Sequence, residues 1–214
     1  MEVREAIYQR RSIRAFTPAP VSKKTLLQLV DAAVQAPSAR NMQPWHFVVV
    51  TGQARERLVK RLLHDYDTDV AQGLTSPSQD LPEPYRTRTE QFLADLQAVG
   101  QGEAPFELMR GSLSFYGAPA VILAALDQRL SPDRLFDLGA AVQNLLLLAP
   151  SLGLGTCVIG IALRYKDAIR AELQLPASIN PVMTIAVGRP KAGHPLAAFR
   201  AGRADLAACL TWIA

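Results

Sequence analysis

The chain has 214 residues, 49% of them hydrophobic and 20% charged, a balance that excludes an intrinsically disordered chain and suits one domain with a full core. Its 23 Lys and Arg against 19 Asp and Glu leave a net charge of +4, dispersed along the sequence rather than gathered into the dense basic footprint of a nucleic-acid binder. The opening residues, Met1 to Glu5, lack a signal-peptide core, and the apolar run Leu145 to Pro150 is far below the roughly 20 residues of a bilayer span, so the expectation is a cytoplasmic protein with no membrane or nucleic-acid partner.

A short amphipathic stretch leads into RRSIRAF, residues 10–16, which sets Arg10, Arg11 and Arg14 around Ser12. Three guanidinium groups and a hydroxyl suit a phosphate, because planar guanidinium makes charge-assisted, bidentate bonds with its oxygens; taken alone, such a cluster is more often a solvated helix end. Ser22 is placed to cap a helix with an apolar face of Leu26, Leu27, Val30, Ala33 and Val34, and Pro37 ends it. PSARNMQPW, residues 37–45, follows as a turn whose backbone and amides at Asn41 and Gln43 can face a planar heterocycle or bond the turn's own backbone.

The run HFVVVT, residues 46–51, reads as a strand buried on both faces. A helix with Leu58, Val59, Leu62 and Leu63 on one side comes next. From Asp65 to about Arg86 the chain is polar and broken by Gly73, Pro77, Pro82 and Pro84, before Phe92, Leu93, Leu96 and Val99 restore helical spacing up to Gly100 and Gly102. The segment from about 65 to 112 is read as a cap over a site rather than a domain of its own. PAVILAAL, residues 119–126, is a further core strand. Residues 134–149 form a helix apolar nearly all round that must be buried, inside one domain or at a subunit interface. Asp137 on that helix calls for an arginine or backbone partner. Strands at TCVIGI and MTIAVG, with a helix over 166–173 between them, complete the core. The tail then carries Leu206, Leu210, Trp212 and Ile213, which need a surface to pack on. Strands and helices without regular βαβ repetition indicate an α+β protein.

Chemically, no acyl-transfer elbow, zinc-protease helix or P-loop is present. The three histidines are scattered, and Cys157 and Cys209 lack ligand spacing, so two free buried thiols, no disulfide and no metal are expected. LGLGTCVIGI, residues 152–161, carries Gly153 and Gly155 but has Val158 where a dinucleotide fingerprint needs its third glycine.

Taken together RRSIRAF, PSARNMQPW, LGLGTCVIGI and the AVGRP of residues 186–190 resemble the nitroreductase family of FMN-dependent oxidoreductases over nearly the whole chain. The resemblance implies a central mixed, mainly antiparallel sheet flanked by helices in an intertwined homodimer, with residues from about 195 to 214 packing on the partner. It implies that Arg10, Arg11, Ser12 and Arg14 serve the FMN phosphate and ring edge together with Arg203 or Arg200. Pro37, Ser38, Ala39 and Asn41 would reach the flavin held mainly by the other subunit, and Val158, Ile159 and Gly160 would lie along the ring. Ser112 stands where many members carry an asparagine, and Gly160 where some carry an acid. NADH or NADPH would reduce the flavin, and a small-molecule electron acceptor, a nitroaromatic or quinone, would reoxidise it in a ping-pong cycle with no catalytic residue in the strict sense. The segment LPEPYRTRTEQF looks like that of members acting on nitroaromatic acids and phenols, with Tyr85, Arg86 and Arg88 as candidate acceptor contacts. Other reactions of the same family, and an FMN-binding sensor or carrier, are the alternatives.

Overall fold

A computed structural model describes residues 1–74, 81–99 and 104–213, the side chains of 104–107 excepted. Pro77, Gly100 and Gly102, with part of the expected cap, lie outside the described residues.

Four strands, β1 (Trp45–Thr51), β2 (Ala120–Asp127), β3 (Gly155–Ile159) and β4 (Ile179–Gly188), form one sheet in the order β1-β2-β4-β3. Every ladder is antiparallel. The parallel component expected of a mixed sheet is confined to a single bridge between Ser12 and Thr156 on the outer edge of β3. Period-two alternation builds two cores from the same strands. Val121, Leu123, Cys157, Ile159 and Ala186 face one layer, which holds Leu58, Leu62, Phe115 and Ile169. Ala120, Ile122, Ala124, Ile185 and Val187 face the other, with Leu26, Leu29, Leu138 and Leu145. β4 carries one extra residue opposite Ala124 and Ala125, where Pro181 has no N–H to give the ladder.

The helices follow their sequence signals with some corrections. Ser22 caps α2 (Lys23–Val34), its hydroxyl accepting from the Thr25 N–H at 3.1 Å. The inner face of α2 is Leu26, Leu29 and Ala33, while Leu27 is exposed. After β1, α3 (Gly52–Ala71) runs straight through the polar stretch expected to break at Asp65, because Tyr66 continues the buried stripe of Leu58 and Leu62 one turn further. β1 is an edge strand, so His46, Val49 and Thr51 are exposed and the expected burial on both faces does not hold within this chain. α4 (Tyr85–Val99) and α5 (Ala104–Leu113) precede β2. α7 (Lys166–Glu172) links β3 to β4, and the one-turn α8 (Pro195–Ala198) leads into the tail.

α6 (Arg134–Leu148) buries Leu138, Ala141, Leu145 and Leu146 but leaves Leu135 exposed and Phe136 82% exposed, so only one face of the expected all-round burial is met by its own chain. Counted through the following turn, Arg134–Leu152 is 19 residues long with hydropathy 1.4, and among the described residues it alone is long and apolar enough to cross a membrane. The six-residue run taken from the sequence understated this length. Asn144 at its centre donates to the Ala32 carbonyl at 3.2 Å, tying α6 to α2. Beyond Arg203 the tail leaves the body: Leu206, Leu210, Trp212 (82%) and Ile213 (89%) are exposed. Cys157 and Cys209 are free thiols as expected, but Cys209 lies in this tail and is exposed rather than buried.

Candidate functional site

The outer edge of β3 gathers the residues of the first and third motifs. Gly155 makes this possible: a Cβ there would lie 2.5 Å from Ile13 Cγ1 and 3.0 Å from Pro190 Cγ, so only glycine lets the RRSIRAF string dock. The Ile13 N–H donates to the Thr156 carbonyl at 2.9 Å and fixes the string's register. Backbone groups alternate between the two edges of a strand. With Thr156 spent on Ile13, the next outward-facing groups are those of Val158, whose side chain is 38% exposed between buried Cys157 and Ile159. Gly160 follows, exposed, with no atom nearer than Met183 Sδ at 3.8 Å to a Cβ built there.

Basic groups converge beside that edge. Arg10 ends α1 (Val3–Gln9), its backbone N–H donating to the Ala6 carbonyl at 3.0 Å, while its guanidinium makes no hydrogen bond or ion pair among the described residues. Its pKa is lowered by partial burial and by the like charges of Arg203 and Arg200. Arg200 donates to the Tyr8 and Gln9 carbonyls, satisfying acceptors at the end of α1. Arg203 bonds the Ala201 and Gly202 carbonyls of its own loop, at 3.0 and 2.8 Å. Arg11 Nε donates to the Ala197 carbonyl of α8 at 3.2 Å, so the string is clamped to the root of the tail. Three repelling guanidinium groups, with no carboxylate paired to them among the described residues, form a site that an anion would neutralise.

Arg14 points along the same edge. Its Nη1 makes a long 3.4 Å contact to the Ser12 carbonyl, its Cζ lies 5.4 Å from the Phe92 ring centroid, and its Nε is buried without a hydrogen-bond partner. Buried donors are normally satisfied, so this orphan fits a ligand acceptor that the protein chain does not itself supply. Ser112 is buried and shares a 2.9 Å hydrogen bond with the Tyr116 hydroxyl. Burial raises the Tyr116 pKa, with Ser112 and Arg14 acting against it. The turn that delivers Tyr116 is strained, with Phe115 at φ 55° and Tyr116 at φ 52°. Gly111 makes room for the ring, 2.8 Å from where a Cβ would sit, and Arg55 Nη2 pins the preceding Ser114 carbonyl at 2.8 Å. Burial also pushes the Cys157 thiol up, against the pull of Arg14 and Ser12, so it is a protonated thiol at neutral pH and no nucleophile.

The second motif lies elsewhere. Pro37 precedes a compact turn in which Ser38 Oγ accepts from the Gln43 N–H at 2.9 Å and Gln43 Nε2 donates to Asn41 Oδ1 at 3.1 Å. Arg40, Asn41 and Gln43 all hold positive φ, between 50° and 55°. Asp137, 5% exposed, accepts from the Ala39 N–H at 3.4 Å and from Arg134 at 2.9 Å, which supplies both kinds of partner expected for it. Ala39 and Asn41 are exposed at the β1 edge of the sheet. Three strand spacings, about 14 Å, separate β1 from β3, so one chain does not bring Pro37, Ser38, Ala39 and Asn41 to the arginines.

On α4, Arg86 is drawn into an ion pair with Glu83. Arg88 donates to the Pro84 carbonyl at 3.0 Å and lies over the Tyr85 ring at 5.0 Å. Tyr85, Arg88 and Phe92 share one helical face by their spacing, and Phe92 meets Phe199 at 6.0 Å as well as Arg14. Phe92, Tyr116 and Thr156 were not singled out from the sequence as site residues. Phe92 stands one turn past Arg88, and Tyr116 four residues past Ser112, but aromatic residues at such positions read equally as core. Among the described residues no cluster of His, Cys, Asp and Glu could hold a metal ion.

The family model described as "Nitroreductase family" matches residues 7–189. A 4-nitrobenzoate reductase of Nocardioides sp. (strain LMS-CY) is 33% identical over 198 residues, covering 88% of this chain and 80% of that protein. The crystal structure of the FMN-dependent nitroreductase NfnB from Mycobacterium smegmatis, in complex with NADPH, superposes with a TM-score of 0.86 at 28% identity over 99% of this chain and 97% of that one. The FMN and NADPH-dependent NfnB of a Sphingopyxis strain (HMH) shares the fold at a TM-score of 0.91 and 24% identity over the full length of both. With its first and third motifs set along the β3 edge and a match over most of its length, the chain belongs to the nitroreductase family.

Proposed function

We propose that this chain is an FMN-dependent NAD(P)H oxidoreductase that reduces nitroaromatic or similar electron-poor acceptors, working as a homodimer. The observation that carries the reading is the unneutralised group of Arg10, Arg200 and Arg203 beside the open edge of β3, on the scaffold of a family whose relatives include named nitroreductases. Arg10 and Arg203 would take the FMN phosphate, a reading supported by Arg200 and Arg11 anchoring that region through the α1 and α8 carbonyls. Ser12 and Arg14 serve the polar rim, the Val158 N–H supplies a backbone donor, and Ile159 and Gly160 line the ring. Ser112 acts through Tyr116 rather than on the ring, since its hydroxyl is already shared.

A second copy completes the site. The Pro37–Asn41 turn is prebuilt, exposed and too far from the arginines of its own chain, while exposed Phe136, Trp212 and Ile213 offer apolar surface to a partner. The bound flavin would accept hydride from NADH or NADPH and yield it to the acceptor in turn, which makes the kinetics ping-pong. The protein's part is to hold the phosphate, to orient the ring against Val158 and Gly160, and to exclude water beneath the cap.

The face of α4 bearing Arg88 and Tyr85 suits an acceptor with an anionic substituent, the class to which the carboxylate of the Nocardioides enzyme's named substrate belongs. Arg86 contributes less, because Glu83 already neutralises it. Steady-state oxidation of NAD(P)H by the FMN-loaded protein, with 4-nitrobenzoate and nitrobenzene compared, tests the whole reading. Parallel double-reciprocal lines and a lower KM for the carboxylate are expected. A chain that takes up no FMN, or that binds it and never turns over, would sink the proposal.

A further inference from the structure

We infer that Phe92 on α4 is a positioning residue for Arg14, so that the cap helix and the cofactor's ring-edge cation form one mechanical unit. The inference rests on the FMN reading above and gives α4 a role in holding the cofactor as well as in meeting the acceptor. Arg14 has no carboxylate within ion-pair distance among the described residues, and its bond to the Ser12 carbonyl is long at 3.4 Å. What holds its guanidinium is the Phe92 ring, 5.4 Å from Cζ, with the Tyr116 hydroxyl acting from the β2 side. Phe92 is in turn braced by Phe199 at 6.0 Å and 57°, and Phe199 follows the α8 carbonyl that clamps Arg11.

The chemistry of this support matters. A guanidinium has five N–H donors in one plane, and a carboxylate partner would occupy two of them and cancel the charge. An aromatic face attracts the cation through its quadrupole and leaves the in-plane donors free. Arg14 therefore stays oriented, charged and unsatisfied at Nε, which is the state a ligand with acceptor atoms requires. Because the ring sits on α4, displacing that helix would loosen Arg14 and with it the cofactor.

Four variants test this: Phe92→Leu, Phe92→Tyr, Arg14→Met and the double variant Phe92→Leu with Arg14→Met. The readouts are the FMN dissociation constant of the apoprotein by fluorescence quenching and the midpoint potential of the bound flavin. Phe92→Leu keeps apolar volume but loses the quadrupole, and should weaken FMN binding about three- to tenfold. It should also lower the potential, since a misplaced cation stabilises the more negative reduced form less. Phe92→Tyr should restore both, and in the Arg14→Met background Phe92→Leu should add nothing. Thermal melting of each apoprotein guards against misfolding, and Phe92→Met replaces the leucine variant should that one fail to fold. Unchanged FMN affinity in Phe92→Leu, or an equal loss with and without Arg14, overturns the inference while leaving the FMN reading intact. A wild-type chain that takes up no FMN overturns both.

Discussion

Arg10, in the proposed phosphate site, illustrates how a single side chain that is costly to the empty protein would serve the loaded one. Its charge is opposed by Arg203 and Arg200 and matched by no acid among the described residues, so the folded chain holds it against repulsion until an anion arrives. Arg10→Ala should therefore leave the melting temperature of the apoprotein unchanged or slightly raised. The same change should weaken FMN binding about 10- to 100-fold, the loss of one or two charge-assisted hydrogen bonds. Thermal melting together with a fluorescence titration checks both halves, and a variant that melts lower but binds FMN normally would place Arg10 among structural residues. Asp137 shows the contrasting case. Its carboxylate is buried but doubly employed, by Arg134 and by the Ala39 N–H, so it organises the Pro37–Asn41 turn.

At the scale of elements, the decisive contact is between β3 and the RRSIRAF string. Gly155 is the residue on which that contact depends, because Ile13 occupies the space a side chain would need. Gly155→Ala should cost about 1–3 kcal/mol through overpacking and should weaken FMN binding as well, since any shift of Ile13 moves Ser12 and Arg14. Differential scanning calorimetry and FMN titration measure the two losses. Stability and affinity both equal to wild type would mean that Ile13 yields without moving the string. The strained Phe115–Tyr116 turn is held in the same spirit by full burial of Phe115, by Arg55 and by the Ser112 hydroxyl. Backbone strain of this kind persists where surrounding contacts over-determine it.

For the whole molecule, the most exposed large apolar residues among those described are Ile213 and Trp212 in the tail and Phe136 on α6. Phe136 on α6 and Leu206, Leu210, Trp212 and Ile213 in the tail add little to their own chain's packing, which is the surface expected of a protomer whose partner covers it. Trp212→Ser should accordingly leave the local protomer fold intact by circular dichroism while weakening self-association about tenfold or more. Sedimentation velocity over a dilution series reads that change. A fully dimeric Trp212→Ser variant would remove the tail from the interface.

Local physics made much of this protein legible in its sequence. The Ser22 cap, the stop at Pro37, the stripe through Leu58 and Leu62, and the apolar run of β2 follow from capping, steric restriction and periodicity, each of which acts within a few residues. RRSIRAF and PSARNMQPW likewise pointed to a phosphate and a flat ring. What the linear order could not express was distance across the sheet. The order β1-β2-β4-β3 sends PSARNMQPW and RRSIRAF to opposite edges, leaves β1 half exposed, and strips α6 and the tail of cover within their own chain. Phe92 became a support for Arg14 only because α4 packs against α5 and α8, which brings its ring to 5.4 Å from Arg14 Cζ. Sequence determined which residues attract which chemistry, because that property is carried by each side chain. Tertiary structure decided which of them meet, because strand order and helix docking are set by the burial of both faces of the sheet at once.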